Sequence, residues 1–290
     1  PLYSSAASDV YKRQAQYLLR TWIDLPIYCI SASEFRYGNY RIDENTLCIF
    51  VSQSGETADT LAALKLSKEN KAQTLSVTNV LGSSLARLSD YVLYTCAGPE
   101  IAVASTKAYT TQLVLLACLC LKLASLFNKG VACKNHMINQ LKQMPDVVEQ
   151  MLAQEEKMAE FAKLLTNQKD AYFIGRQLDY LSVLEGALKL KEVSYVHADA
   201  YMAGELKHGP IALIEKDTVV IALATQPSVA QKTISNILET VARGAKVILI
   251  ASQSQNTEGF EYVIRIPDVD PLLSLSLIHI SEPTRPLYIS

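Results

Sequence analysis

The 290 residues carry 49% hydrophobic and 19% charged side chains with a formal net charge of -2, enough apolar material for one large or two medium folded domains and unlike a disordered chain. Acids and bases are mixed along the sequence, which excludes the electrostatic footprint of a nucleic-acid or anionic-membrane binder. The six cysteines, at 29, 48, 96, 118, 120 and 133, form no paired Cys-x-x-Cys motifs and the four histidines are scattered, so no zinc site is expected, and the thiols read as reduced, packed side chains of a cytoplasmic protein.

The first residues, PLYSSAASDVYKRQ, lack the apolar centre of a signal peptide. Three short apolar strands are then expected within 45–54 (NTLCIFVSQS), 72–79 (AQTLSVTN) and 90–98 (DYVLYTCAG). Between the first two, TADTLAALKLSKEN sets Leu61, Leu64 and Leu66 largely on one helical face. The stretch QLVLLACLCLKLASLF, 112–127, is short for a membrane span and carries Lys122, which favours a buried core helix. Residues 129–168, charged and rich in Met and Gln, read as a helical linker broken at Pro145.

Three further strands are expected within 217–226 (DTVVIALATQ), 245–252 (AKVILIAS) and 261–268 (EYVIRIPD). Pairing Thr46 with Thr218, Ala72 with Ala245 and Asp90 with Glu261 gives offsets of 172, 173 and 171. Independent insertions would not keep so constant an offset, so the halves read as duplicated α/β units. In the second, VAQKTISNILETVARG places Ile234, Ile237 and Val241 on one face and ends at Gly244, a natural helix stop. Continuous apolar strands alternating with amphipathic helices predict two tandem doubly wound parallel sheets, each a three-layer α/β/α sandwich.

In such sheets ligands bind beyond the carboxyl ends of the strands. After Val51 the chain runs Ser52, Gln53, Ser54, Gly55, Glu56, Thr57. Hydroxyls, a glycine that admits close backbone approach and the orphan N–H groups of a following helix suit a phosphate monoester. The competing reading makes Ser54 a simple helix N-cap. Glu56 fits an anion site only with its side chain turned outward. A second loop, AGPEIAVASTKAYTTQL, offers Ser105 and Thr106 to the same pocket or as caps, with Lys107 as a countercharge or a solvated residue.

In YLSVLEGALKLKEVSYVHADAYMAGELKHGP, 180–210, the residues Glu185, Lys189 and Glu192 fall at i, i+4 and i+7 of a helix and share a face. A polar loop with Glu205, Lys207 and His208 follows. Carboxylate, ammonium and imidazole are the groups that proton transfer beside a carbonyl uses. An exposed i,i+4 ion pair and an ordinary turn histidine would give the same spacing.

The stretches SQSGETADT, ASTKAYTTQL, LEGALKLKEVSY and GELKHGP together resemble the isomerase portion of the glutamine–fructose-6-phosphate aminotransferase family, over about residues 15 to 272. That resemblance implies two sugar-isomerase (SIS) domains in tandem, here 15–128 and 169–272 around the 129–168 linker. It implies fructose 6-phosphate, the precursor of glucosamine 6-phosphate, bound by Ser52, Gln53, Ser54 and Thr57 with Val103 and Ser105. Glu192 resembles the residue that shuttles a proton between C1 and C2, and Lys189 its partner. His208 resembles the group that promotes ring opening, which in this family reaches the pocket from a neighbouring subunit, so a homodimer is implied. No cofactor or metal is expected, because the substrate carbonyl and imine carry the electrons. Neither nucleic acid nor membrane is an expected partner.

Several family features are expected to be absent: the glutaminase domain, the first SIS strand with its Cys-Gly-Thr-Ser loop, and the C-terminal tail with its Schiff-base lysine. Residues 1–14 and 273–290 read as non-native sequence, PLYSS at one end echoing PLYIS at the other. Gln177 stands where the family usually has a glycine. Two alternatives remain open from the residues: another SIS isomerase or deglycase acting on a related sugar phosphate, and a non-catalytic sugar-phosphate-binding regulator.

Overall fold

The computed structural model describes residues 2–4, 9–23, 25–99, 105, 107–127 and 131–274. The chain divides into two compact units, Pro1–Lys134 and Asn135–Ser290, and each holds one parallel five-stranded sheet.

In the first unit the strands are β1 (Leu2–Ser4), β2 (Cys29–Ser31), β3 (Leu47–Val51), β4 (Gln73–Thr78) and β5 (Tyr91–Tyr94), in the order β2-β1-β3-β4-β5. Helices α1 (Asp9–Trp22), α2 (Ala32–Phe35), α3 (Ala58–Glu69), α4 (Ser84–Leu88) and α5 (Lys107–Leu126) connect and cover them. Cys48, Ile49, Phe50 and Val51 of β3 are all buried, as a strand covered on both faces requires. Cys48 and Phe50 pack with Phe35, Ala63, Leu64 and Leu85. Helix α5 is long and apolar enough by composition to cross a membrane, with a mean hydropathy of 1.6. It lies against α1 and buries a stripe that includes Leu113, Leu116, Ala117 and Cys120, the pattern of a core helix.

The expectation that the first strand is missing is corrected. Leu2–Ser4, inside the segment read as foreign, pairs in parallel with Cys29–Ser31 on one side and with Ile49 and Phe50 on the other. A gap at the centre of a parallel sheet leaves two rows of unpaired backbone groups, and even three extended residues satisfy part of both. Helix α1 also begins within that segment, at Asp9.

The second unit repeats the plan. Its strands β6 (Asp170–Gly175), β7 (His197–Met202), β8 (Val219–Ala224), β9 (Lys246–Ser252) and β10 (Tyr262–Ile266) are ordered β10-β9-β8-β6-β7. Matching β1 with β6, β2 with β7 and β3 with β8 superimposes the two strand orders. Helices α6 (Val131–Leu152), α7 (Glu155–Ala162), α8 (Leu178–Ser194) and α9 (Ala230–Ala242) accompany the sheet. The six expected strands appear as β3, β4, β5, β8, β9 and β10. In α9, Ile237 is buried but Val241 is exposed; the inward face is instead completed by Thr233, Asn236 and Thr240.

The linker reading also changes. From Asn135 onward the segment belongs to the second unit. Met137, Met144, Met151 and Met158 recur every seven residues and are all buried. Gln154 Nε2 donates to the Arg265 carbonyl at 2.8 Å, and Phe161 meets Tyr262 edge to face at 5.4 Å. Pro145 does not break α6. An interior proline costs about 3 kcal/mol, and burying two methionines on either side of it offsets a cost of that order.

Candidate active site

Within the first sheet the chain goes from β1 to β2 on one side and to β3 on the other, so the loop after β3 lies at a point where strand order reverses. Ser52 is buried; its hydroxyl accepts from Gly55 N at 3.1 Å and shares a 3.1 Å hydrogen bond with Thr57 Oγ1. Ser54 Oγ accepts from Glu56 N at 3.2 Å, so Ser54 closes a local turn rather than capping a helix. The N-cap of α3 is Thr57, and its side chain makes no capping bond. The first-turn N–H groups of α3 thus face a cluster of hydroxyls without a side-chain cap, an arrangement that favours an anion.

Gly55 is required here. Its φ is +66°, and a Cβ would collide with Ser83 and approach Thr78 Oγ1 to 2.8 Å. Glu56 turns away from the turn: its carboxylate accepts from Ser84 N at 2.6 Å, and that bond holds its pKa below the ordinary value. The awkward charge is used to cap α4, outside the cradle.

Asn79, at the end of β4, ties this turn to the loop after β5. Its N–H donates to the Gln53 carbonyl at 3.0 Å. Its side-chain oxygen accepts from Ala97 N at 2.9 Å and from Thr95 Oγ1 at 3.0 Å, and its amide donates to the Gly98 carbonyl at 2.7 Å. Gln53, Ser54 and Thr57 are half-buried, as is Ser105 ahead of α5, while Lys107 is exposed. Val103 and Thr106 lie outside the described residues.

In the second unit α8 presents the charged face. Lys189 Nζ lies 2.7 Å from Glu192 Oε2 and 3.5 Å from Glu185 Oε1. Glu185 is 2% exposed and Lys189 6%, so the bland reading of an exposed ion pair fails. Glu185 Oε2 is buried with no hydrogen-bond partner. Burial pushes the Glu185 carboxyl up to about 7; Lys189 pulls the other way and Glu192 adds to the rise. Burial alone would lower the Lys189 pKa, but the two flanking carboxylates outweigh it and raise it. The face therefore holds a fixed ammonium between a half-buried carboxylate and a buried carboxyl that changes charge near neutrality.

His208 ends a 3-10 turn, Leu206–His208, and is exposed. Among the described residues its ring makes no hydrogen bond to Lys189 or Glu192. Lys189 and Glu192 come together as the spacing predicts; His208 does not join them. The spacing pointed to Glu185 without giving it a role, and its burial supplies one. Asn79 gave no local signal, since the partners of its side chain lie 16 to 19 positions away.

A family model described as SIS domain matches residues 13–122 and 164–268. The glutamine–fructose-6-phosphate aminotransferase [isomerizing] of Clostridium tetani is 50% identical over 269 residues, covering 90% of this chain and 44% of that protein. Its counterpart in Thermococcus kodakarensis is 46% identical over 247 residues, covering 84% and 41%. The chain thus spans less than half the length of these relatives. Among solved structures, the C-terminal domain of glucosamine-fructose-6-phosphate aminotransferase from Francisella tularensis matches with a TM-score of 0.92 at 35% identity, covering 99% of this chain and 82% of that one. With two matched copies of the domain and this likeness along nearly its whole length, the chain belongs to the SIS-domain family and is homologous to the C-terminal part of the glutamine–fructose-6-phosphate aminotransferases.

Proposed function

We propose that this chain binds fructose 6-phosphate and carries the isomerising step of glucosamine 6-phosphate formation. The observation that carries the proposal is the 2.7 Å contact between Lys189 and Glu192, backed by buried Glu185. A regulator that only binds a sugar phosphate has no use for a buried ammonium held between two carboxyl groups, whereas a proton shuttle does.

The phosphate is held by Ser52, Gln53, Ser54 and Thr57 and the first-turn N–H groups of α3, with Val103 and Ser105 contributed by the second loop. Glu192 moves the proton between C1 and C2 of the open-chain sugar. Lys189 keeps that carboxylate oriented and stabilises negative charge developing on the neighbouring oxygen. His208, exposed on its turn, serves ring opening in the pocket of a neighbouring subunit, which makes the working form a homodimer. Glutamine is the nitrogen source, as in the name of the aminotransferases this chain resembles, and the cytoplasm is the expected compartment.

In deuterium oxide, the chain with fructose 6-phosphate should exchange hydrogen at the carbons next to the carbonyl. Glu192→Gln should abolish that exchange and leave sugar-phosphate affinity within about threefold, a change below 1 kcal/mol. Unchanged exchange in Glu192→Gln would contradict the assignment and favour a non-catalytic sensor.

A further inference from the structure

The turn that follows β3 in the first unit has a counterpart after β8 in the second, where the chain enters α9. With the offset of 172, Ala224, Gln226 and Val229 stand where Ser52, Ser54 and Thr57 stand in the first, and Pro227 replaces Gly55. Three hydroxyls and one N–H are lost at these positions, while Thr225 and Ser228 bring hydroxyls to the places of Gln53 and Glu56, so the second turn retains donors, and they are occupied. Asp179, in the first turn of α8, is fully buried. Its carboxylate accepts from Thr225 N at 2.8 Å and from the Thr225 hydroxyl, and it is also bonded by Gln226. Gln226 directs its side-chain amide to Ser274 Oγ at 3.1 Å and the Pro271 carbonyl at 3.2 Å, closing the turn from above. In the first unit the acid of the corresponding turn, Glu56, reaches out to Ser84 instead.

We propose that Asp179 is a built-in anion that occupies the second repeat's cradle, so that a duplicated fold offers one sugar-phosphate site per chain and not two. The count of one rests on reading the 52–57 turn as the phosphate site; the occupancy of the second cradle does not. A carboxylate that is buried and left without solvent survives only where donors converge on it. Donors converging at a strand end ahead of a helix are the same arrangement that elsewhere receives phosphate.

The test is chemical rescue. Asp179→Ala should empty the cradle and lower the thermal midpoint. Sodium formate, at the ionic strength of a sodium chloride control, should restore it, with about a tenfold gain in the folded-to-unfolded ratio at ten times the dissociation constant. Asp179→Asn fills the space with a neutral side chain and should respond to formate no more than the wild type does. Asp179→Ala that gains nothing from formate beyond the wild-type response, or stays unfolded in it, would overturn the proposal. Fructose 6-phosphate binding by the wild type, measured alongside, reports on the 52–57 turn alone, so failure of the first-site reading is distinguished from failure of this one.

Discussion

Lys189 Nζ sits 2.7 Å from Glu192 Oε2 and is itself 6% exposed, so the ammonium is held by the fold before any substrate arrives. Its removal leaves Glu185 buried with no other cation beside it among the described residues. Lys189→Met should therefore abolish carbon-bound hydrogen exchange and destabilise the chain by about 2–4 kcal/mol, the usual cost of orphaning a buried charge. The loss should grow as pH rises through 7, because Glu185 can escape the penalty only by staying protonated. Urea denaturation at pH 5.5 and pH 8 measures it; an equal loss at both would be the contrary result.

Glu185 gives a second pH signature in the wild type. Its folded pKa, about 7, lies above the ordinary 4.5, so between those values the folded state binds more protons than the unfolded one. Unfolding free energy then falls as pH rises across that window, and the group's contribution is greatest below it. Glu185→Gln removes the effect. The stability of wild type relative to Glu185→Gln should fall by on the order of 2–3 kcal/mol from pH 4.5 to 7.5. A flat difference would place the proton elsewhere.

Gln177 occupies φ +54° with ψ -123°, a region in which an L side chain is strained and glycine is not. Gln177→Gly should stabilise the chain by about 1 kcal/mol despite the added freedom of the unfolded state, read as a higher urea midpoint. A lower midpoint would mean that the contact from Ser228 Oγ to Gln177 Oε1, 3.3 Å, outweighs the backbone strain.

Asn79→Ala cuts three side-chain hydrogen bonds that hold the loop after β5 against the 52–57 turn. Isothermal titration should show fructose 6-phosphate affinity reduced about tenfold, the equivalent of roughly 1.4 kcal/mol. Unaltered affinity would mean that the two loops bind independently.

What the sequence made legible follows from range. Strands β3, β8 and β9 are nearly continuous apolar runs and β4 alternates polar and apolar residues, so three strands of each sheet and their repeat could be read directly, whereas β1, β2, β6 and β7 were not foreseen. Strand β7 is half polar, with His197 paired to Asp170 at 2.9 Å and Tyr201 donating to Asp199 at 3.3 Å; its short alternation of polar residues with alanines gives an edge strand too little apolar signal to stand out. Pro145 misled because a local rule was overruled by burial of the flanking methionines. Glu185, Lys189 and Glu192 share one helix and were visible from spacing. Asp179 and Thr225, 46 positions apart, meet only when the second sheet closes, and no local pattern announces them.

The central claim is that the turn after β3 is an anion cradle for a phosphorylated sugar. Amide exchange of residues 53 to 57, followed while fructose 6-phosphate is titrated in, tests it most directly. Saturable protection of those amides, lost in Ser54→Ala with Thr57→Ala, is the predicted result. Amides indifferent to the ligand at saturation, or protected equally by unphosphorylated fructose, would contradict it.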